Sequence, residues 1–479
     1  GGGYNHWATA GFFGRLNYNY KEKYLLEVNG RYDGTSRFMK DQRWNFFPSF
    51  SLGWNVAREN FWKPLESVVN QFKLRGSWGE LGNQNTSNLY PFYEILPVKS
   101  NSGNWLVNGG KTNTADIPSL VSTLLTWERV RSFNVGFDFG AFSNRLTGSF
   151  DYFVRKTVDM VGPAPQLPLV LGIAPAIVNN ADMKSYGFEI ELSWRDRIGE
   201  VDYGVKFNLA DAQQKVVKYP NTTNAFNDWY AGKMSGEIWG YTSLGIAKTD
   251  EEMKEHLASL PNGGQNQLGN KWGAGDIMYA DINGDGKVDG GKGTLADPGD
   301  QRIIGNSTPR YNFGLVLDAS YKGFDVSIFF QGVGKRDYAP IVGTNGAVFW
   351  GAVNNIWQSM AMEEHFDYFR PEGHPMGANL NGYYPRPDFT SNKNHQVQTR
   401  YLQDASYIRL KNLQIGYTLP KQWINKLHIN RCRVYVSGDN LWTGTSLASM
   451  FDPETLAAGD WGSGKTYPLS KVISFGLNV

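Results

Sequence analysis

A hairpin with two long alternating strands and a very tight turn constrains this chain more than any other feature. From Tyr311 to Tyr321 and from Phe324 to Gln331, apolar residues alternate with mostly polar ones, and Lys322-Gly323 connects the two runs. Alternation with a period of two gives a strand one apolar face and one polar face. Each run has about ten residues, the length that a tilted strand needs to cross a bilayer. Because an unpaired strand edge cannot be left in lipid, such hairpins predict a transmembrane β-barrel.

The composition agrees with an all-β membrane protein and excludes a helical one. Apolar residues make up 41% of the chain, the mean hydropathy is −0.43, and there is no run of about 18 apolar residues for a spanning helix. The 16 Trp, 25 Tyr and 28 Phe suit the aromatic girdles of a barrel. A large secreted β-sandwich or propeller would have a similar composition, but the unequal connections at the two ends of the hairpins favour the barrel.

We predict thirteen strands, at about 10–20, 23–33, 47–57, 70–80, 129–139, 145–155, 186–196, 200–211, 311–320, 323–333, 400–418, 431–441 and 470–479. The hairpin at 186–211 carries Glu189, Glu191 and Lys206 on its polar positions. Placing these charges in lipid would be very costly. We therefore expect them to face a polar lumen, together with Asn134 and Asp138.

The connections between these strands are either tight turns or long loops. The long loops lie near 81–128, 156–185, 212–310, 334–399 and 442–469. In outer-membrane barrels the short turns are periplasmic and the long loops are extracellular. The chain is therefore expected to end in the periplasm, with Ile473, Phe475, Leu477 and Val479 alternating along the closing strand.

The odd number of strands predicts that this chain is one part of a barrel. Single-chain bacterial barrels have an even number of strands, and a periplasmic end would place Gly1 outside the cell. A preceding segment with an odd number of strands is therefore expected, and the missing signal peptide agrees with processing or an incomplete chain. One further strand hidden in 212–310 would instead give a closed porin of about fourteen strands.

Several short motifs occur in a recognisable order along almost the whole chain. They are Phe13–Tyr20, Tyr24–Leu26, Arg31–Phe38, Phe47–Trp54, Leu74–Gly79, Gly82–Gln84, Tyr186–Glu189, Ile303–Gly305 with Pro309, Ala405–Asn412, Gly416–Pro420 and Val434–Leu441. Together they resemble SusC/RagA-type TonB-dependent transporters, which are outer-membrane proteins of Bacteroidota-like bacteria.

The resemblance implies a set of expectations about architecture and partners. It implies the carboxyl-terminal part, about 13 strands, of a barrel with about 22 strands. The remaining barrel strands, an amino-terminal plug in the lumen and a segment that contacts TonB are expected to belong to other residues. A SusD-type surface lipoprotein is expected to cover the mouth and help to capture oligosaccharides or peptides, and two such pairs to associate as a dimer.

An Asp-rich segment has the ligand spacing of a calcium loop. The candidate ligands are Asp281, Asn283, Asp285, the backbone carbonyl of Lys287, Asp289 and Asp300. Oxygens at positions 1, 3, 5, 7 and 9, with glycine at position 6, are the pattern that wraps a chain around Ca²⁺. Position 12 is Lys292, and the family resemblance suggests Asp300, displaced by an insertion, in its place, with Asp297 as the alternative. We predict a structural Ca²⁺ that orders loop 212–310; the competing interpretation is an ordinary turn rich in Asp, Asn and Gly.

Aromatic residues in the long loops form the candidate ligand surface. They are Trp229, Tyr230, Trp239, Trp350, Trp357, Tyr383, Tyr384 and Trp461. Flat rings stack on sugars and also suit peptides or a protein interface. Packing within the loops is the simpler role for any single ring, so a glycan ligand is only a family-level expectation.

No motif predicts catalysis or nucleic-acid binding. The six histidines lack the spacing of a zinc site, and no nucleophile elbow or phosphate-binding glycine loop is present. The net charge of +2 comes without a long basic run. Residues 250–260 predict a short acidic helix in a loop, and the single Cys432 is expected to be an ordinary strand residue.

These observations predict the barrel wall of a non-enzymatic TonB-dependent importer in the outer membrane, surrounded by the lipid bilayer. Two alternatives stay open at this point. One is a passive outer-membrane porin without a partner, and the other is a secreted carbohydrate-binding or enzymatic β-protein.

Overall fold

The computed structural model describes residues 4–86, 88–162, 170, 172–173, 175–340, 347–353, 361–389, 391–425, 429–456 and 466–479. Thirteen strands form one sheet. They are β1 (Thr9–Tyr20), β2 (Tyr24–Thr35), β3 (Trp44–Asn55), β4 (Val69–Asn83), β5 (Glu128–Ala141), β6 (Leu146–Gly162), β7 (Val178–Ile198), β8 (Val201–Lys218), β9 (Arg310–Tyr321), β10 (Phe324–Lys335), β11 (Tyr407–Thr418), β12 (Arg433–Thr445) and β13 (Val472–Asn478). Each strand overlaps one of the predicted strands, so the all-β prediction is confirmed.

The strands follow one another in the sheet in the order of the chain. Neighbouring strands are antiparallel from β1 to β6 and from β8 to β13. Residues 219–309 are described throughout and contribute no strand to this sheet. The additional strand that a closed porin would require in this segment is therefore absent from it.

The chain divides into two compact units. The first comprises residues 1–190, 212–223 and 228–234, and the second comprises residues 191–211, 224–227 and 235–479. Strands β1–β6 belong to the first unit and β9–β13 to the second, while β7 and β8 contribute residues to both.

In the first unit, cross-strand neighbours form an apolar row beside a polar row. The apolar row is Leu16, Val28, Phe50, Trp78, Phe133 and Val154. The adjacent polar row is Asn17, Glu27, Ser51, Ser77 and Asn134. Most members of the apolar row are exposed, Phe50 by 45% and Phe133 by 48%. A continuous exposed apolar surface of this kind is expected where a sheet faces lipid.

The second unit repeats this arrangement. Its apolar row is Tyr203, Ala319, Val326, Ile415, Val436 and Phe475. The adjacent row is Gly204, Asp318, Ser327, Gln414, Ser437 and Ser474. Within each unit the separation of the two faces therefore continues from strand to strand, as the period-two alternation predicts.

The turn between β9 and β10 has the geometry that a two-residue hairpin needs. Lys322 and Gly323 have φ angles of 46° and 88°, and a type I′ turn requires positive φ at both central residues. Glycine adopts this conformation freely, while Lys322 adopts it at some steric cost. Tyr321 consequently pairs with Phe324, which sets the register of the whole hairpin.

Four predicted strands have wrong boundaries. Strands β6, β7 and β8 extend further than predicted, with 17, 21 and 18 residues, so the loop predicted from 212 begins after Lys218. The strand predicted from residue 400 begins only at Tyr407. Thr399–Tyr401 is a 3-10 turn instead, because Tyr401 is buried in the core of the loops.

The loops contain their own secondary structure. The helices are α1 (Asp250–Ala258), α2 (Ala347–Trp350) and α3 (Lys421–Ile424). Short ladders pair Glu237–Gly240 with Arg302–Asn306, Ser243–Ile246 with Ile277–Tyr279, Asp337–Tyr338 with Gln403–Asp404, Val98–Lys99 with Thr114–Ala115, and Leu106–Val107 with Gly110–Lys111. Further 3-10 turns lie at Lys40–Gln42, Val56–Arg58, Asn60–Leu65, Gly351–Val353 and Glu363–Phe366.

Helix α1 confirms the predicted acidic helix, and Thr249 caps it by accepting the N–H of Glu252 at 3.1 Å. Among the residues that the structure describes, no helix has the length and hydropathy to cross a membrane.

The conventional hydrophobic cores belong mainly to the loops rather than to the sheet. The larger core, in the second unit, is built around Tyr279, Phe349, Tyr401 and Phe451. A smaller core in the first unit consists of Phe38, Phe47, Leu125 and Trp127. A sheet with lipid on one face and a polar lumen on the other has no such core of its own.

Candidate functional site

Charged residues on the polar face of the sheet are joined by ion pairs. In the first unit, Arg75 donates from Nε to Asp138 at 3.1 Å and from Nη2 to Asp151 at 2.7 Å. In the second unit, Arg433 pairs with Asp325. Asp138, which was expected to face the lumen, therefore belongs to a polar network in which one arginine binds two carboxylates.

The other residues expected in the lumen also lie at polar positions. Asn134 pairs with Ser77 in the polar row of the first unit. Lys206 alternates with Val205 and Phe207 on β8 and is exposed. Glu189 and Glu191 are exposed on β7.

The Asp-rich segment folds into a compact loop that its own side chains close. Asp281 accepts the backbone N–H groups of Gly284 at 2.7 Å and of Gly286 at 2.8 Å. Asn283 accepts the N–H of Asp285 at 2.9 Å. Gly286 has a φ of 79°, and position 6 of a calcium loop is a glycine because the chain turns sharply there.

Asp300 is brought into this loop. Its Oδ1 accepts the N–H of Ile282 at 2.6 Å and its Oδ2 accepts the N–H of Asp289 at 2.8 Å, so the carboxylate connects the two ends of the Asp-rich segment. Burial raises the pKa of Asp300, although the backbone N–H groups that bind its carboxylate act to lower it. Asp297 has a different place: its backbone carbonyl closes the inserted turn by accepting the N–H of Lys292 at 3.1 Å.

Lys287 and Asp289 form an ion pair within the same loop. The ammonium group of Lys287 holds the pKa of Asp289 below its usual value, and the carboxylate raises the pKa of Lys287. In the described part of the chain, no group of three or more His, Cys, Asp or Glu side chains is arranged to hold a metal ion. The donors are the hard oxygens that Ca²⁺ prefers, but here they bind N–H groups and a lysine. Calcium binding therefore stays a prediction.

Three of the predicted ligand-surface aromatics belong to the large loop core. Trp350 packs edge-on against Tyr384, with ring centroids 6.2 Å apart, and against Tyr401 at 4.8 Å. Tyr383 packs edge-on against Tyr384 at 5.0 Å and accepts a hydrogen bond from Gln403. Burial raises the pKa of Tyr383 and of Tyr384. Packing within the loops, the simpler of the two roles, thus accounts for most of the surface of these rings.

The remaining aromatics have different surroundings. Trp239 stacks on Phe226 with ring centroids 4.6 Å apart. In the first unit, the ammonium group of Lys233 lies 5.9 Å from the ring of Trp229 and 5.3 Å from that of Tyr230. Trp229 also lines a cavity of about 380 Å³. Trp357 and Trp461 lie outside the described residues.

Sequence reasoning missed two buried charge networks that hold the loops of the second unit together. Asp276 binds Arg386 and Lys393, which are more than 100 residues away in the sequence, and no local pattern signals such a contact. Arg409 donates to Asp452 at 2.9 Å and to Glu454 at 2.7 Å. Arg409 lies in one of the family motifs and on the polar face of β11. The alternation of polar and apolar residues along this strand could therefore have indicated its place on the polar face.

A family model described as "TonB dependent receptor-like, beta-barrel" matches residues 3–441. The chain belongs to the TonB-dependent receptor β-barrel family. TonB-dependent receptor P3 of Formosa agariphila is 30% identical over 98% of this chain and 45% of the relative. TonB-dependent receptor SusC of Bacteroides thetaiotaomicron is 24% identical over 98% of this chain and 43% of the relative. The chain therefore spans about half the length of the curated relatives that it matches.

Among solved structures, the RagAB peptide transporter superimposes with a TM-score of 0.75 at 23% identity, covering 98% of this chain and 47% of that chain. At this identity the likeness shows the fold alone. TonB-dependent receptors of this family are outer-membrane β-barrels, which confirms the predicted fold class and location. Membership of this outer-membrane family also excludes the alternative of a secreted β-protein. The relatives are receptors and transporters rather than enzymes, in agreement with the expected lack of catalysis.

Proposed function

We propose that this chain forms the carboxyl-terminal barrel part of a SusC-like TonB-dependent importer. The complete protein moves oligosaccharides or peptides across the outer membrane together with a SusD-like surface lipoprotein. The observation that carries this proposal is the pairing of an apolar row with a polar row in both units. A barrel with this surface faces lipid outside and water inside, which is what a conduit for hydrophilic cargo requires.

In this proposal the long loops are extracellular and Val479 is periplasmic. The polar face, with its paired charges such as Arg75 and Asp138, lines the conduit and contacts a plug that other residues supply. TonB acts on that plug, and the lipoprotein docks on the loops; the transporter–lipoprotein pair is expected to form a dimer. A structural Ca²⁺ ion bound at 281–300 orders loop 212–310.

Uptake by cells tests the proposal. A strain without this gene is complemented with the complete gene, and the uptake of labelled oligosaccharides and labelled peptides is measured with and without TonB and the SusD-like lipoprotein. The proposal expects saturable uptake of at least one cargo class, lost without TonB and reduced without the lipoprotein. Uptake that continues unchanged without TonB would support the passive porin instead.

A further inference from the structure

A partly enclosed apolar cavity lies among the loops of the second unit. Its floor consists of the buried rings of Trp350, Tyr384 and His395. Two further rings stand at its rim: Phe366 is 52% exposed and Phe389 is 63% exposed. Aromatic rings that stay in water beside a buried aromatic floor are a feature of sites that receive another apolar group.

The volume of the cavity sets the size of its ligand. It holds about 160 Å³. An engineered protein cavity of about 150 Å³ binds one benzene molecule. The cavity therefore accommodates one six-membered aromatic ring.

The lining is held in place before any ligand arrives. Trp350 lies 4.6 Å from His395 between ring centroids, and the backbone of Tyr384 pairs with the strand-like segment at Asp367 and Phe369, with hydrogen bonds of 2.9 Å. Nδ1 of His365 accepts the N–H of Met362 at 3.0 Å. Such preorganisation lowers the entropic cost of binding.

The chemistry of the lining favours a neutral apolar ring over a sugar. The Nε2 atom of His365 donates to the carbonyl of Val348 at 3.1 Å, and Arg386 binds the carboxylate of Asp276 through Nε at 2.9 Å and Nη2 at 2.7 Å. These two polar groups are already engaged. The described residues provide no partner for Nε1 of Trp350 or Nδ1 of His395, but both atoms are fully buried and present no surface to a ligand. A sugar hydroxyl that enters without a partner therefore loses its bonds to water. Burial lowers the pKa of His395 to about 4, although the carboxylate of Asp388 acts to raise it. The floor therefore carries no imidazolium charge at neutral pH.

We propose that this cavity is a subsite for one aromatic side chain of an imported peptide. The proposal rests on the importer function proposed above and adds a preference to it. Among peptides of equal length, a Phe-containing cargo binds more tightly than its Ala counterpart because its ring leaves water for the cavity.

The test uses the complete transporter purified from outer membranes. Isothermal titration compares Gly-Gly-Phe-Gly, Gly-Gly-Ala-Gly and maltotetraose on the wild type and on three variants. Phe389→Ala removes an exposed rim ring, and Val353→Trp fills the cavity. Tyr93→Ala is the matched control, since Tyr93 is a 61% exposed aromatic on a loop of the first unit.

For the wild type we expect the Phe peptide to bind about ten- to a hundred-fold more tightly than the Ala peptide, the gain for burying one such ring. Val353→Trp removes this ratio, Phe389→Ala reduces it by at least about three-fold, and Tyr93→Ala keeps it. Because Phe389 is exposed, its variant tests the proposal even when the filled variant does not fold.

Two other results have distinct meanings. Equal affinity for the two peptides overturns the subsite, and so does an effect of Tyr93→Ala as large as that of Phe389→Ala. In both cases the importer function still stands if cells take up cargo through TonB. Binding of maltotetraose alone has the same meaning. If none of the probes binds and cells import neither cargo class through TonB, both the subsite and the proposed function fail.

Discussion

Removal of the Asp276 carboxylate is predicted to open the loops of the second unit locally. Asp276 and Lys393 are 0% and 1% exposed, with Nζ and Oδ2 2.9 Å apart. The same carboxylate accepts hydrogen bonds from Arg386 and, at 2.9 Å, from the side chain of Asn394. It is the charged group that binds the segment near residue 393 from the segment near residue 276.

The structure gives the magnitude of the effect. Deleting one partner of a buried ion pair costs about 3–5 kcal/mol because a buried charge is left uncompensated. After Asp276→Asn, Lys393 keeps Asp388 at 3.8 Å, so we expect the lower end, about 3 kcal/mol, or roughly a hundred-fold in the opening equilibrium. Lys393→Met costs less, about 2 kcal/mol, since Arg386 still neutralises Asp276. The double variant costs less than the sum of the two, because neither charge is then left alone.

Hydrogen exchange followed by mass spectrometry on the complete transporter measures this opening. The informative peptides cover 274–280 and 392–399. Asp116→Asn is the matched control, because Asp116 pairs with Lys99 while both side chains are about half exposed, and such pairs contribute about 0–1 kcal/mol. Exchange in Asp276→Asn within three-fold of the wild type, or equal to that in the control, would refute the reasoning.

Three further predictions concern the same loops. Calcium chelation should speed proteolysis at 281–300 and lower the calorimetric melting temperature, with little effect in Asp300→Asn; unchanged melting and proteolysis would count against the ion. Because burial lowers the pKa of His395 from 6.5 to about 4, the folded loop binds fewer protons than the unfolded one between these values. Loop stability should therefore fall from pH 6.5 toward pH 4, by at most about 3 kcal/mol. Protection factors, which correct for the intrinsic pH dependence of amide exchange, that do not change with pH, or the same decline in His395→Gln, would contradict this. Arg409→Met should release the segment near Asp452 by about 3 kcal/mol; exchange there that matches the wild type would show that the ion pairs contribute little.

The strands were predictable because their cause is local. A strand between lipid and water must alternate residue by residue, and this alternation is present in the sequence at Val326, Ser327 and their neighbours. The start of β11 was missed because Tyr401 continues the apolar pattern of the strand. Its ring packs in the loop core against residues that are distant in the sequence, and no local pattern shows such a contact.

The candidate sites were predictable only in part. The spacing from Asp281 to Asp289 is local, so the compact loop was expected, and the family resemblance located Asp300 within it. The sequence shows where an aromatic residue lies along the chain, but it does not show which residues surround its ring. Trp350 and Trp229 look equivalent in sequence, yet the first is buried and the second is exposed.

The central claim is that neighbouring residues of one strand face lipid and lumen alternately. Its most direct test replaces Cys432 with Ser in the complete transporter and introduces single cysteines at Val326 and Ser327, which lie in adjacent apolar and polar rows. In intact outer membranes, Ser327→Cys should react with a small water-soluble maleimide, and Val326→Cys only with a lipid-soluble one. Equal reaction of both cysteines with the water-soluble reagent would contradict the account.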